Sequence, residues 1–144
     1  MRALFFAFFI LSFGVQSAEY QDDIDKFFDL YSSGKVNEAV DTIYSSNSYV
    51  SAIPDQIKNI KTQLSALEGL VGSIQHINRV DTFSVGELLV QVTYIVTYAR
   101  QPVRFEFQFF KVKDGWRTYS FSFDDEIDEE IKAAARKALL IQPE

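Results

Sequence analysis

From residue 20 onward the apolar positions follow first a helical period and then a period of two, and that change divides the chain into its elements. Tyr20, Ile24, Phe27, Phe28 and Tyr31 recur at helical spacing, with Asp22, Asp23, Asp25 and Lys26 opposite. This predicts a helix that Gly34 stops, since glycine enters the left-handed C-terminal position without a Cβ penalty. Val36, Ala39, Val40, Ile43 and Tyr44 predict a second short helix, ended as a loop by Ser45, Ser46, Asn47 and Ser48. Pro54 suits the first position of a third helix, where its missing N–H is no loss, and Ile57, Ile60, Leu64 and Leu67 continue the period to Gly69.

After Gly72 the pattern becomes extended. Ile74 to Thr82 predicts a first, irregular strand. Three regular strands follow in Leu88, Val90, Val92, Tyr94, Val96 and Tyr98, then Val103, Phe105, Phe107 and Phe109, then Tyr119, Phe121 and Phe123. A three-residue loop at Lys113-Asp114-Gly115 would pair Val112 with Trp116, Phe109 with Tyr119 and Phe107 with Phe121. A four-residue loop from Ala99 to Pro102 would set Tyr98 opposite Val103 and Val96, Tyr94 and Val92 opposite Phe105, Phe107 and Phe109. Both turns then agree on one buried apolar face, because a one-residue slip would turn an apolar row to water. The other face carries Gln91, Thr93, Ile95, Thr97, Arg104, Glu106, Gln108, Phe110, Trp116, Thr118, Ser120 and Ser122. A closing helix is expected from about Asp125 to Leu140, its acids first and its bases last, as the helix dipole favours. Ile127, Ile131, Ala134 or Ala135, and Ala138 give it a modest apolar stripe.

Helices followed by long aromatic strands resemble the nuclear-transport-factor-2-like superfamily, the cone fold of the cystatin-like type. The marks are the opening Phe27-Phe28-Asp29-Leu30-Tyr31-Ser32-Ser33-Gly34 with Ala39, and the closing Phe109-Phe110-Lys111-Val112-Lys113-Asp114-Gly115-Trp116 with Tyr119, Phe121 and Phe123. The chain is similar in particular to small exported bacterial members of unknown function. The likeness spans roughly residues 20–124, and the helix after Asp124 is added to the usual plan. It implies an α+β fold, with N-terminal helices packed on a curved antiparallel sheet of about four long strands and a pocket between them. The superfamily uses that pocket for catalysis, for ligand binding or for no known purpose, so membership does not choose a function.

The N-terminal residues alter where such a domain would work. Arg2, an apolar block from Ala3 to Phe13 broken by Ser12, and the small-residue exit Ser17-Ala18 form a cleavable secretory leader over residues 1–18, cut after Ala18 or one residue earlier. The block is too short to span a bilayer, which needs about 20 apolar residues. With no cysteine in the chain there is no lipid-anchored cysteine, disulfide or thiolate metal site. The expected product is therefore a free secreted or periplasmic protein, one domain over residues 19–144. Its formal net charge, −6 for the whole chain, becomes −7 when Arg2 leaves. That balance argues against nucleic acid and anionic lipid, both of which need a basic face.

Candidate chemistry is sparse. A cone-pocket enzyme of the ketosteroid-isomerase-like kind would place an acid or a His–Asp pair inside the cone, tuned by burial. The inner faces of the three regular strands offer only the hydroxyls of Tyr94, Tyr98 and Tyr119. The single histidine, His76, lies on the first strand, with Asp81 five residues on and hence on the opposite face. These four residues are the candidate ligand-binding set. No cofactor and no metal site is expected. The acidic run from Asp124 to Glu130 lacks the glycine and the spacing of a calcium loop and reads as a helix start. Ser32-Ser33-Gly34-Lys35 reads as a helix stop, lacking the strand and upstream glycine of a phosphate loop.

The first functional reading is non-catalytic: an exported domain that binds a small apolar ligand or an envelope protein. A homodimer through the outer sheet face, with Phe110, Val112, Trp116 and Ile95 at the contact, belongs to this reading. A second is an enzyme on a small hydrophobic substrate, with a tyrosine as proton donor and His76 as partner. It requires an open cavity, and a cavity filled by Phe105, Phe107 and Phe121 would count against it. A third is a secreted inhibitor using Asn47 to Pro54 as its wedge.

Overall fold

The computed structural model describes residues 19–140, so the expected leader at 1–18 lies outside the described residues. Three helices come first, α1 (Glu19–Ser32), α2 (Val36–Tyr44) and α3 (Pro54–Val71). They are followed by β1 (Ile74–Val85), β2 (Leu89–Tyr98), β3 (Pro102–Val112) and β4 (Gly115–Asp124), and the chain closes with α4 (Asp128–Leu139). The strands form one antiparallel sheet in the order β1-β2-β3-β4. The architecture is α+β, as the periods predict.

The helix ends follow from local chemistry. Gly34 has φ 77°, and the next N–H, that of Lys35, bonds back to the Leu30 carbonyl at 2.9 Å. The serine-rich stretch after α2 is tied down: the Asn47 side chain accepts from the Tyr49 N–H at 3.1 Å and donates to the Thr118 carbonyl at 2.8 Å. This opens a short 3-10 turn, Ser48–Ala52. α3 runs past Gly69 to Val71, and Gly72, at φ 87°, makes the stop. Arg100, in the β2–β3 turn, caps α3, with its N–H on the Val71 carbonyl at 2.9 Å and its guanidinium on that of Leu70 at 2.8 Å.

The strand registers correct two expectations. Between β2 and β3, Val103 lies opposite Val96, Phe105 opposite Tyr94, Phe107 opposite Val92 and Phe109 opposite Val90. The pairing is offset by two residues from the one a loop at Ala99–Pro102 implies. Alternation fixes which face a residue takes but cannot distinguish registers that differ by two. Between β3 and β4 the loop holds only Lys113 and Asp114, so Val112 pairs with Gly115, Lys111 with Trp116 and Phe109 with Thr118. A bulge between Gln108 and Phe109 then restores the expected pairs Phe107 with Phe121 and Phe105 with Phe123. Between turn and bulge every side chain of β4 is on the face opposite to the expected one. Trp116 and Thr118 face the helices, and Tyr119 faces out.

The core fills the space between α1 and the sheet. Phe27 packs its ring 5.3 Å from Phe107, 5.1 Å from Phe121 and 6.4 Å from Phe105, and Phe28 lies 4.8 Å from Tyr94. Such ring pairs add about 0.5–1.5 kcal/mol each beyond the area they bury. Thr118 is buried with them and satisfied, its hydroxyl donating to the Ile43 carbonyl while its N–H bonds Ser46 Oγ at 3.0 Å. α4 lies on the outer side of the sheet. It starts three residues later than expected because Asp124 accepts from the Glu126 N–H in a turn that precedes it.

Candidate functional site

Among the described residues, phenylalanine side chains fill the interior of the cone. Phe27, Phe105, Phe107 and Phe109 are among the largest fully buried side chains, and no histidine, lysine, arginine or carboxylate is buried with them among the described residues. Two of the expected tyrosines do face inward, and α1 occupies both. Tyr98 and Tyr31 share a hydroxyl–hydroxyl hydrogen bond of 2.8 Å, and the Tyr94 hydroxyl accepts from Gln21 Nε2 at 2.9 Å. Gln21 is held in turn by Arg79, whose guanidinium donates to its Oε1 at 3.0 Å. Burial, the main cause in each case, raises the pKa of Tyr31, Tyr94 and Tyr98 above the ordinary tyrosine value, so all three stay neutral at physiological pH.

Beside the Tyr31–Tyr98 pair, a cleft of about 200 Å³ opens between the α1–α2 turn, α3 and the start of β1. Ser32, Ser65, Ser73 and Glu68 line it together with Leu64 and Ile74. Its polar lining suits water or a small hydrogen-bonding molecule better than an apolar one. Glu68 is the one charged side chain among its lining residues.

The other two expected residues are elsewhere. His76 is exposed and pairs with Thr97, which alternates with inward Val96 and Tyr98, so the imidazole lies on the outer face. Tyr119 is 69% exposed and meets Phe110 edge to face at 6.3 Å. The four candidate ligand residues therefore do not converge. Among the expected contact residues, Ile95 and Phe110 lie on the outer face, and Val112 borders a wide cleft with Leu88 and Lys111. Trp116 belongs to the helix side. Its indole meets Tyr20 of α1 edge to face at 5.0 Å, and Tyr20 stacks on Phe109 at 5.4 Å.

The outer face carries the exposed apolar surface. Val85, Leu89 and Phe110 lie opposite one another across three strands, with Tyr119 beside Phe110 and Phe83 two positions along β1. Phe83, Val85, Leu89 and Tyr119 are all exposed, and with Gln91 and Gln108 they bound a groove of about 230 Å³. The sequence signal for this patch is the alternation Phe83, Val85, which carries β1 beyond Thr82. Farther along the same face, α4 stands over Ile95 and Arg104. The Arg104 guanidinium forks onto Asp124 at 2.9 and 3.2 Å and reaches Glu130 at 2.8 Å. Among the described residues no group of three or more metal-ligating side chains converges, and no helix is long and apolar enough to cross a membrane.

No family model and no curated protein matches the chain. Two solved structures do. One, from Campylobacter jejuni and described as an NTF2-like transpeptidase, is 14% identical over 70% of this chain and 97% of its own, with a TM-score of 0.52. The other, from Thiobacillus denitrificans and described as a calcium/calmodulin-dependent protein kinase type II association domain, is 10% identical over 72% of this chain and 91% of its own, with a TM-score of 0.45. At these identities the likeness is one of fold. The sheet and helices are those of the nuclear-transport-factor-2-like cone.

Proposed function

We propose that this cone-fold chain is an exported, non-catalytic docking domain that binds protein through the outer face of its sheet. The observation that carries the reading is the contrast between the two faces. The inner one is packed solid with phenylalanine, and the outer one leaves Phe83, Val85, Leu89 and Tyr119 in water. Exposed apolar groups gathered in one place mark interaction surfaces, whereas single ones do not.

Catalysis of the kind weighed from the sequence lacks its parts. Acid–base chemistry needs a titratable group within hydrogen-bond reach of a bound substrate. The inward tyrosines are bonded to α1, and His76 is on the other side of the sheet. The transpeptidase description of the Campylobacter protein is not carried over either, because acyl transfer needs an activated serine or cysteine. This chain has no cysteine, and its histidine faces the outer side of the sheet, away from the serines of the cleft.

A photo-cross-linking residue placed at Phe83 or Tyr119, in the chain exported by its own host, tests the reading. Expected is a discrete protein adduct from both positions and none from a probe at Ser65 in the polar cleft. Adducts from Ser65 alone would move the function to the cleft and overturn the proposal.

A further inference from the structure

The two edges of the sheet are finished differently. β4 is closed off by the segment after α2: the Thr118 N–H bonds Ser46 Oγ at 3.0 Å, and Asn47 donates to the Thr118 carbonyl at 2.8 Å. β1, the other edge, has β2 as its one strand neighbour, and among the described residues no loop or side chain bonds its backbone between Ile74 and Ser84. In an antiparallel pair every second residue turns its N–H and C=O away from the partner strand, so this edge presents a row of free donors and acceptors. At 12 residues β1 is the longest of the strands, and it carries neither the lysine nor the proline that commonly blunts an edge.

Its last part is the most regular. Register shifts interrupt β1 at Ile74/His76 and at Arg79/Asp81, but from Asp81 to Val85 it pairs with β2 without a break. The second shift turns Asp81, Phe83 and Val85 together to the outer face, opposite Thr93, Gln91 and Leu89. Thr82 and Ser84, opposite the buried Val92 and Val90, take the inner one. Phe83 and Val85 are 63% and 55% exposed, and Asp81 makes no ion pair among the described residues.

Such an edge asks for a strand, because a helix laid on the face would cover Phe83 and leave the backbone row unpaired. Side chains directly across a strand pair share a face and touch. A strand added along Asp81–Val85 therefore needs two apolar side chains, two positions apart, to continue the apolar row that Val85 forms with Leu89 and Phe110. It needs a basic one at the next such position to meet Asp81, and polar residues between, beside Thr82 and Ser84. A second copy of β1 does not meet these terms. Antiparallel about Phe83 it would set each Asp81 against a valine, and in parallel it would set Asp81 beside Asp81, where like charges repel.

We propose that β1 is a strand-addition site: an extended segment of another protein, with apolar and polar residues alternating and a base in register with Asp81, joins its free edge as a fifth strand. In such a contact the backbone hydrogen bonds supply affinity and the alternate side chains supply selectivity. This gives the outer-face docking function its mode and the class of its partner, and rests on that reading.

The probe is a pair of synthetic peptides, one for each chain direction, in which valine and threonine alternate and a lysine ends the valine series. One of them should bind the chain as its host exports it and slow amide exchange by about tenfold or more at the residues of Asp81–Val85 that face the free edge, with no change along β4. N-methylation of the peptide should divide its positions into two alternating sets, one that abolishes binding and one that leaves it unchanged, since only one set of N–H groups faces β1. Asp81→Lys should weaken the lysine peptide by about threefold or more and prefer a peptide with glutamate in that place; a loss of folding would not produce that exchange of preference. Methylation that acts equally at every position, protection without alternation, or no binding by either peptide at about 1 mM overturns strand addition. Alternate protection that appears in the chain alone and grows with its concentration makes the occupant a second copy and overturns it too. In each of these cases the outer-face reading stands if a probe at Tyr119, on the opposite edge strand, still cross-links to protein in the host, and falls as well if neither Tyr119 nor Phe83 does.

Discussion

At the scale of single residues, phenylalanine decides what the cone can do. Phe107 is fully buried against Phe27, Phe28 and Phe121, so Phe107→Ala should cost about 3–5 kcal/mol, transfer and cavity terms together. Urea unfolding should show a lower midpoint at unchanged slope; a loss under about 1 kcal/mol would mean the interior is looser than described. The tyrosine pair sets an alkaline limit. Tyr31 and Tyr98 both have pKa values raised above the ordinary 10, chiefly by burial. Below about pH 10 they are neutral whether the chain is folded or not, and their contribution is intact. Above it the unfolded chain releases protons that the folded chain keeps, so stability falls as pH rises, by at most about 1.4 kcal/mol per pH unit for each tyrosine. Tyr31→Phe with Tyr98→Phe should flatten that loss in unfolding measured between about pH 10 and 12, and an unchanged slope would assign it to other groups. The inward placing of Tyr94 and Tyr98 was legible from alternation alone. That of Trp116 was not, because one bulge residue reverses the face of everything between it and the turn. The partner that favours this, Tyr20, is 96 positions away in sequence.

At the scale of elements, the ends of helices and strands were legible wherever the cause was local. Gly34 and Pro54 mark their helix boundaries through their own backbone chemistry. The stop of α3 is less local, since Gly72 is both left-handed and pressed against the next hairpin. A Cβ at Gly72 would lie 2.9 Å from the Ala99 Cβ. Gly72→Ala should therefore destabilise by about 1–3 kcal/mol through strain at positive φ, read as a drop in thermal midpoint. The closing helix shows the opposite balance. Its acids and bases announced a helix, but nothing near it in sequence said that Arg104, 26 residues before Glu130, would draw it over the outer face. Arg104→Leu should raise amide exchange across residues 128–139, and global stability should change by only about 1 kcal/mol or less, since Glu130 is largely exposed. Unchanged exchange there would show that Ile127 alone fixes the helix.

For the whole molecule, the expected cut and the first ring contacts of α1 lie within a few residues of each other, so the place of the cut would bear on the fold. Tyr20, one residue into the described part of α1, bridges that helix to Phe109 of β3 and Trp116 of β4. A cut after Ala18, or one residue earlier, leaves this bridge whole; a cut two residues later would remove Tyr20 and uncover the Trp116 ring. The exported product should accordingly have an intact mass that begins at Glu19 or Ala18. Tyr20→Ala should lower its stability by about 1–3 kcal/mol without changing where it is cut, since the lost ring contacts belong to the fold and the cleavage signal lies before them. A mass retaining residues 1–18, or one beginning beyond Tyr20, would remove the basis for placing this domain outside the cytoplasm.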